Sequence, residues 1–331
     1  MVELELGLPA ENARPSGIAL SPLVPPRILC FLGRQIQTLP EMSVQLLEEQ
    51  LHRAESGEGG VKHTHRPTAL YMSLLGWWCE EECKYGCMWR TVEQIQAEPR
   101  GEVPQFYGKW PFVRVLGIQE PASVLFSILN GLGHVVMIGV FRRRVPSHAK
   151  MNSVVHWLAV ISINAWFWSA VFHTRDFSWT EKMDYFCATS LVVFQLFMWF
   201  TRFGGFKESA MFGALLAALF SGHVYYLGFV KFDYGYNMMA NVAVGQLNAF
   251  CWLGFAFKNV RQRRYMWKCI ATILSINLLL LLELGDFPPI WWTFDAHSLW
   301  HAGTAPVVPL WYSFLIDENL YLLREAEEKD V

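Results

Sequence analysis

Two histidines near the carboxyl end of the chain have the spacing of a metal site. His297 and His301 are four residues apart, so on a helix they lie on one face, about 6 Å apart along the axis. One helix can supply two imidazole ligands to zinc with this spacing. His173 is the candidate for a third ligand; Ser169 lies one turn before it, and Asp184 follows it eleven residues later. The sequence therefore predicts that distant segments meet in one site.

Three neutral imidazoles with one open position form the ligand set of a catalytic zinc rather than a structural one. Such a zinc acidifies a bound water, which becomes a nucleophile, and polarises the carbonyl group under attack. Asp184 is suited to hold or deprotonate that water, and Ser169 to donate a hydrogen bond to the water or to the developing oxyanion. The pattern thus predicts a zinc-dependent hydrolase.

Other polar residues in the apolar stretches have simpler interpretations. A single histidine on an apolar helix is more often an internal hydrogen-bonding residue than a ligand, and we assign that role to His134, His156 and His223. Glu120 is either a supporting polar residue or a helix-start acid. Four more acids are either solvated loop acids or partners that orient the ligands. They are Asp176, Glu283, Asp286 and Asp295.

The elements that must position these residues are membrane helices. The chain has 331 residues, of which 53% are hydrophobic, with 15 Trp and 24 Phe, which is more apolar than an ordinary soluble domain. No basic tract with interleaved aromatic residues indicates nucleic-acid binding. Apolar segments of spanning length recur seven times. They lie near residues 118–140, 153–173, 183–203, 209–230, 237–257, 265–284 and 296–316.

The basic residues are divided unequally between the two sides of this predicted bundle. The connections after the first, third and fifth spans carry eleven Lys and Arg residues, whereas those on the other side carry three, namely Arg175, Lys182 and Lys231. The positive-inside rule places the richer side in the cytosol. Ser169, His173, Asp184, His297 and His301 then share the luminal level of the membrane, as a single site requires.

The chain divides into four predicted regions. Residues 1–66 are divergent, weakly ordered and without the pattern of a secretory signal peptide. Residues 67–117 form a small luminal region rich in Cys and Trp, residues 118–316 form an all-α membrane domain with a seven-helix bundle, and residues 317–331 form a short charged cytosolic tail.

Three cysteines are clustered in the predicted luminal region. Cys79, Cys83 and Cys87 are each four residues apart. We predict that they form disulfides, because the compartment is oxidising and no typical zinc-finger partner pair follows. A metal-binding turn is the alternative.

Longer strings around the candidate residues resemble a known family. The Ser169, His173, Asp184, His297 and His301 pattern is similar to that of a seven-helix hydrolase superfamily that includes alkaline ceramidases and the adiponectin and progestin receptors. The more specific strings resemble the post-GPI-attachment to proteins factor 3 family. They are residues 164–176 (NAWFWSAVFHTRD), 180–187 (TEKMDYFC), 232–237 (FDYGYN) and 286–289 (DFPP).

This resemblance implies a multi-pass Golgi membrane enzyme whose active site faces the lumen. Its substrate would be the lipid of GPI-anchored proteins within the membrane, from which it would remove the sn-2 unsaturated acyl chain, a phospholipase A2-type reaction. By the same resemblance His173, His297 and His301 would bind zinc, with Asp184 and Ser169 assisting. Two alternatives stay open at this point, a ceramidase-like lipid amidase or esterase and a non-catalytic receptor or scaffold.

Overall fold

The computed structural model describes residues 70–99 and 101–329. The predictions for residues 1–66 lie outside the described residues. Throughout the described part the regular secondary structure is helical, and β pairing is limited there to three isolated bridges in tight turns. The helices are α1 (Leu70–Leu74), α2 (Cys79–Gln96), α3 (Pro121–Arg144), α4 (Asn152–Thr174), α5 (Ser178–Phe203), α6 (Phe206–Tyr225) with a π-helical turn (Tyr226–Val230), α7 (Tyr234–Asn259), α8 (Met266–Gly285), α9 (Ala296–Thr304) and α10 (Val307–Glu327).

The described residues belong to two compact units. Residues 70–77 and 88–329 form the larger unit, and residues 78–87 belong to the other. Within residues 78–87 Lys84 forms ion pairs with Glu80 and Glu81, at 2.7 and 2.9 Å. The three predicted disulfide cysteines follow one another at four-residue intervals along α2, and their pairing stays a prediction.

Six helices in the described residues are long and apolar enough to cross a membrane, α3 to α8. They begin and end within five residues of the first six predicted spans. Many of their large apolar side chains are exposed, among them Leu132, Val136, Leu219, Phe250 and Leu278. An apolar exterior suits a lipid environment, so the chain is a helical membrane protein.

The predicted seventh span, residues 296–316, consists of two helices instead of one. Helix α9 ends at Thr304, and α10 begins at Val307. Pro306 and Pro309 have no backbone N–H, so the carbonyls of Ala302 and Ala305 cannot receive the usual helical hydrogen bond. Neither helix alone meets the length and composition of a span, and a seventh crossing by the pair stays a prediction.

Helix α10 forms the centre of the hydrophobic core. Trp311, Tyr312, Phe314 and Leu315 are all buried and belong to the main core cluster, where Trp252 of α7 also packs. The segment predicted as a tail, residues 317–331, is helical as far as Glu327. Glu318 and Asn319, the polar residues that directly follow the core residues, are buried there.

A buried acid ties three helical regions together at the end of the bundle where α5 ends and α8 begins. Glu318 of α10 is 1% exposed. Its carboxylate accepts a short hydrogen bond from Arg202 Nε, contacts Arg263 Nη1 at 3.5 Å and accepts one from Tyr265 Oη at 2.7 Å. We call this region the arginine end.

Candidate metal centre

The three predicted histidines meet at the opposite end of the bundle, which we call the histidine end. His173 lies in the last turn of α4, and His297 and His301 lie one turn apart on α9. The Nε2 atoms of His297 and His173 are 3.2 Å apart, and those of His301 and His297 are 2.8 Å apart. One nitrogen from each ring lies within 4.8 Å of the other two. His173 and His301 are buried, and His297 is partly exposed.

Helix α9 begins where its local sequence supplies a cap. Asp295 Oδ1 accepts a hydrogen bond from the backbone N–H of Ser298 at 2.9 Å, and Ser298 Oγ accepts one from the N–H of Asp295 at 3.0 Å. This reciprocal pair satisfies two backbone donors at the helix start. Asp295 is therefore the helix cap that puts His297 and His301 on one face of α9.

Two acids, Glu120, which is buried, and Glu283, which is partly buried, set the orientation of two of the rings. His173 Nδ1 donates to Glu120 Oε2 at 2.7 Å, and His297 Nδ1 donates to Glu283 Oε2 at 2.7 Å. A carboxylate only accepts, so these partners assign the proton of each ring to Nδ1. The Nε2 atom of each ring then presents a lone pair. This is the carboxylate–histidine pairing that orients metal ligands in proteins.

A serine does the same for the third ring. Ser127 Oγ donates to the carbonyl of Ser123 at 2.7 Å, which uses its one proton. It therefore accepts from Ser169 Oγ at 3.0 Å and from His301 Nδ1 at 3.3 Å. His301 thus also carries its proton on Nδ1. Asn130 adds a hydrogen bond of 2.8 Å from its Nδ2 to the carbonyl of His301.

The three Nε2 lone pairs therefore converge on one point. Uncharged acceptor atoms at 2.8 and 3.2 Å repel each other unless a cation or a proton lies between them. Around a tetrahedral zinc with bonds of about 2.1 Å, ligand nitrogens are about 3.4 Å apart. The His301–His297 and His297–His173 separations are about 0.6 and 0.2 Å shorter than this, and the third pair lies within 4.8 Å. The residues present therefore fit a zinc ion after small movements of the rings.

Ser169 and Asp184, the two residues predicted to assist, form no hydrogen bond with the histidine rings among the described residues. Ser169 is buried and contacts Ser127, which in turn contacts His301. Asp184, near the start of α5, is partly buried and within electrostatic range of His173 and His297. Among the described residues its side chain has no hydrogen bond and no ion pair.

The sequence pattern of the Per1-like family matches residues 69–319. The chain belongs to the Per1-like family. A Bos taurus relative called GPI-specific phospholipase A2-like PGAP3 is 49% identical over 274 residues, which are 82% of this chain and 85% of the relative. The Homo sapiens relative of that name is 47% identical with the same coverage. Post-GPI attachment to proteins factor 3 of Drosophila melanogaster is 41% identical over 74% of this chain and 76% of its own length.

These relatives confirm the resemblance that the sequence strings indicate. No solved structure matches the chain significantly. The matched region of this Per1-like protein contains the three histidines, Glu120, Glu283, Ser127 and Ser169.

The three histidines outside the candidate metal centre, and the acids Asp176 and Asp286, each have a polar partner within the protein. His134 Nδ1 lies 3.3 Å from Tyr312 Oη, His156 Nδ1 donates to the carbonyl of Asn152 at 2.8 Å, and His223 Nδ1 lies 3.3 Å from Tyr236 Oη. The prediction of internal hydrogen bonds is confirmed for all three. Asp176 forms an ion pair with Lys109, and Asp286 accepts hydrogen bonds from Gln105 and Trp110.

Sequence reasoning missed Ser127 and Lys109. Ser127 belongs to a buried polar stripe on α3 with Ser123, Asn130 and His134. Its helical spacing of four, three and four residues is a signal that the sequence already contained. Lys109 precedes α3 by twelve residues, and no periodic pattern marks it.

Proposed function

We propose that this protein is a zinc-dependent membrane hydrolase that removes the sn-2 unsaturated acyl chain from the lipid of GPI-anchored proteins. The observation that carries the hydrolase part is the convergence of three imidazole Nε2 atoms whose Nδ1 atoms are all hydrogen-bonded to acceptors. The GPI substrate is supported by the names of the mammalian and insect relatives.

In this proposal each residue of the site has a separate role. His173, His297 and His301 hold the metal, which when bound supplies an acidified water and a Lewis acid for the ester carbonyl. Glu120 and Glu283 keep two of the rings in the metal-binding tautomer. Because only part of the His297 ring is buried, the site is open to substrate on that side.

Asp184 is the residue we assign as the proton acceptor. Its carboxylate is within electrostatic range of His173 and His297, and within the described part of the chain no donor occupies it. A general base needs such an unoccupied acceptor atom close to the water that it deprotonates. The hydroxyl of Ser169 is engaged with Ser127, so we propose that Ser169 steadies His301 through Ser127. An oxyanion contact by Ser169 would require its hydroxyl to turn away from Ser127.

The proposed location is the Golgi membrane with the site facing the lumen. The uneven distribution of basic residues supports this orientation, since Arg142, Arg143 and Arg144 end α3 at the side opposite the histidines.

Acyl release by the purified full chain tests the proposal. The substrates are diacyl-GPI and ceramide, each measured before and after zinc is removed with a chelator and restored. We expect zinc-dependent release of the sn-2 acid from GPI, no turnover of ceramide, and loss of activity in Asp184→Asn with zinc retained. Glu208→Gln, which changes an exposed acid at the start of α6, is the matched control and keeps full activity.

Each other outcome selects a different function. Ceramide turnover without GPI turnover would assign a ceramidase-like amidase. Zinc binding with no hydrolysis of either lipid would leave a receptor or scaffold in which the metal is structural.

A further inference from the structure

A lysine from outside the membrane helices lies between two acids at the histidine end. Lys109 Nζ is 3.0 Å from Glu120 Oε1 and 2.8 Å from Asp176 Oδ2. It also lies 4.2 Å from the centre of the Phe172 ring, in the range of a cation–π contact. Its side chain is 27% exposed and that of Glu120 is 6% exposed. Lys109 is thus a mostly buried cation with three partners.

A tight turn brings Lys109 to this position. The backbone N–H of Phe106 donates to the carbonyl of Lys109 at 2.6 Å, and the reverse bond is 3.1 Å. Between them Tyr107 and Gly108 have positive φ values of 54° and 77°, as in the type I′ turns that reverse a chain within two residues. Glycine adopts this conformation at little cost, whereas tyrosine pays for it.

Glu120 is held from three directions. Its backbone N–H donates to the carbonyl of His173 at 3.0 Å, which fixes the start of α3 beside the end of α4. One carboxylate oxygen receives Nδ1–H of His173, and the other receives the ammonium group of Lys109. Lys109 therefore completes the hydrogen bonding of the carboxylate that orients His173.

Charge keeps this arrangement ionised. Burial alone would raise the pKa of Glu120, but the charge of Lys109 and the hydrogen bonds from Lys109 and His173 hold it below its usual range. Burial alone would likewise lower the pKa of Lys109, but Glu120 and Asp176 raise it. A carboxylate buried without such a partner would be costly and would gain from protonation.

We propose that Lys109 is a positioning residue for the zinc site. It holds Glu120 in the orientation that receives Nδ1–H of His173, and so it sets how tightly the three histidines bind zinc. The inference rests on the proposed function, because it requires that the histidines bind zinc. It assigns part of the metal affinity to a segment that precedes the membrane helices.

Zinc affinity measures this role directly. The purified full chain is stripped of metal and titrated with zinc in competition with a chromophoric chelator. Partners of metal-binding residues contribute about 10- to 100-fold to affinity, and Lys109→Met is expected at the lower end, about tenfold weaker. Lys109→Arg, which keeps the charge, retains most of the affinity. The matched control is Lys231→Met, because Lys231 pairs with Asp233 at 2.9 Å but is exposed; its affinity is expected to be unchanged.

A double-mutant cycle shows whether Lys109 acts through Glu120. Glu120→Gln removes the negative charge and keeps the size of the side chain. If the lysine acts only by holding this carboxylate, Lys109→Met causes no further loss of affinity in the Glu120→Gln background. Losses that simply add would overturn the proposal. The visible spectrum of the cobalt(II)-loaded protein is a second readout, and it should change in Lys109→Met but not in Lys231→Met.

The outcomes separate the two proposals. If the wild-type chain binds neither zinc nor cobalt, the proposed function fails. If the wild type binds zinc and Lys109→Met binds it equally well, only the role of Lys109 fails. Should Lys109→Met not fold, Lys109→Gln takes its place, and equal affinity of the Gln and Arg variants would overturn the proposal.

Discussion

The two ends of the bundle bury acids for different purposes. At the arginine end the carboxylate of Glu318 is surrounded by donors from Arg202, Arg263 and Tyr265. At the histidine end Glu120 and Glu283 each accept a hydrogen bond from an imidazole N–H, and the Nε2 atoms of those two rings face one another as acceptors. The Glu318 carboxylate has its donors within the protein. The facing nitrogens at the histidine end have no donor among the described residues, and we propose that a cation completes that site. Burial of charge alone therefore does not identify a functional site; the unmatched acceptors do.

Loss of a ligand should produce the largest effect. His301→Ala removes one of three nitrogens, and the variant is expected to lose zinc. Since metal catalysis contributes several kcal/mol, the rate of acyl release should fall at least about 10³-fold. Zinc content and acyl release measure this on the purified protein. Undiminished release by zinc-free His301→Ala would contradict the metal mechanism.

The arginine end should respond in stability and not in metal binding. Glu318→Gln leaves Arg202 buried without its counter-charge, and breaking such a pair costs about 3–5 kcal/mol. Unfolding in denaturant should show this loss, while zinc bound per folded molecule stays the same. Glu327→Gln, at the exposed end of the same helix, is the control and should have little effect. A Glu318→Gln variant that folds normally but lacks zinc would contradict the assignment of stability to the arginine end and of metal binding to the histidine end.

A smaller effect is expected from the acid that orients His297. Glu283→Gln keeps the shape of the side chain but removes the charge, so the affinity for zinc should fall about 10- to 100-fold. A competition titration with a chelator gives the value. Unchanged affinity would mean that the pairing with His297 Nδ1, at 2.7 Å, does not support the metal.

The smallest loss of zinc affinity should come from Ser127, the uncharged partner of His301. Ser127→Ala removes the acceptor of His301 Nδ1–H, and a neutral hydrogen bond contributes about 0.5–1.5 kcal/mol, so zinc affinity should fall by about tenfold or less. Ser162→Ala is the control, because Ser162 is a fully buried serine of α4 whose hydroxyl has no hydrogen-bond partner among the described residues. If both variants lose affinity equally, the effect is one of packing and not of ring orientation.

Most of the fold could be predicted from the sequence because a segment that crosses a lipid bilayer has to be a long apolar helix. Six spans could be located within five residues from apolar length alone, since every spanning segment must satisfy its own backbone. The break in the seventh was readable in Pro306 and Pro309, but apolar length outweighed it in the prediction. Burial of Glu318 was not predictable, because its partners come from Arg202 and Arg263, which are distant in sequence.

The site was predictable to the extent that its residues follow helical spacing. His297 and His301 share a face of α9, and topology places His173 at the same level. Glu120 and Glu283 stayed ambiguous because an acid at a helix end has the same sequence signature in water as in a buried pair. Lys109 could not be found, since its position depends on the conformation of the turn that precedes it.

The break between α9 and α10 has a consequence for how this sequence can diverge. In a continuous helix, one inserted residue rotates everything beyond it by about 100°, which would turn the two candidate ligands of α9 away from His173. Here α9 has its own cap at Asp295 and ends before Pro306. We therefore expect that an insertion or deletion in α10 changes the packing of α10 but not the direction in which α9 presents His297 and His301. The length of α10 can then vary without change to the candidate metal centre.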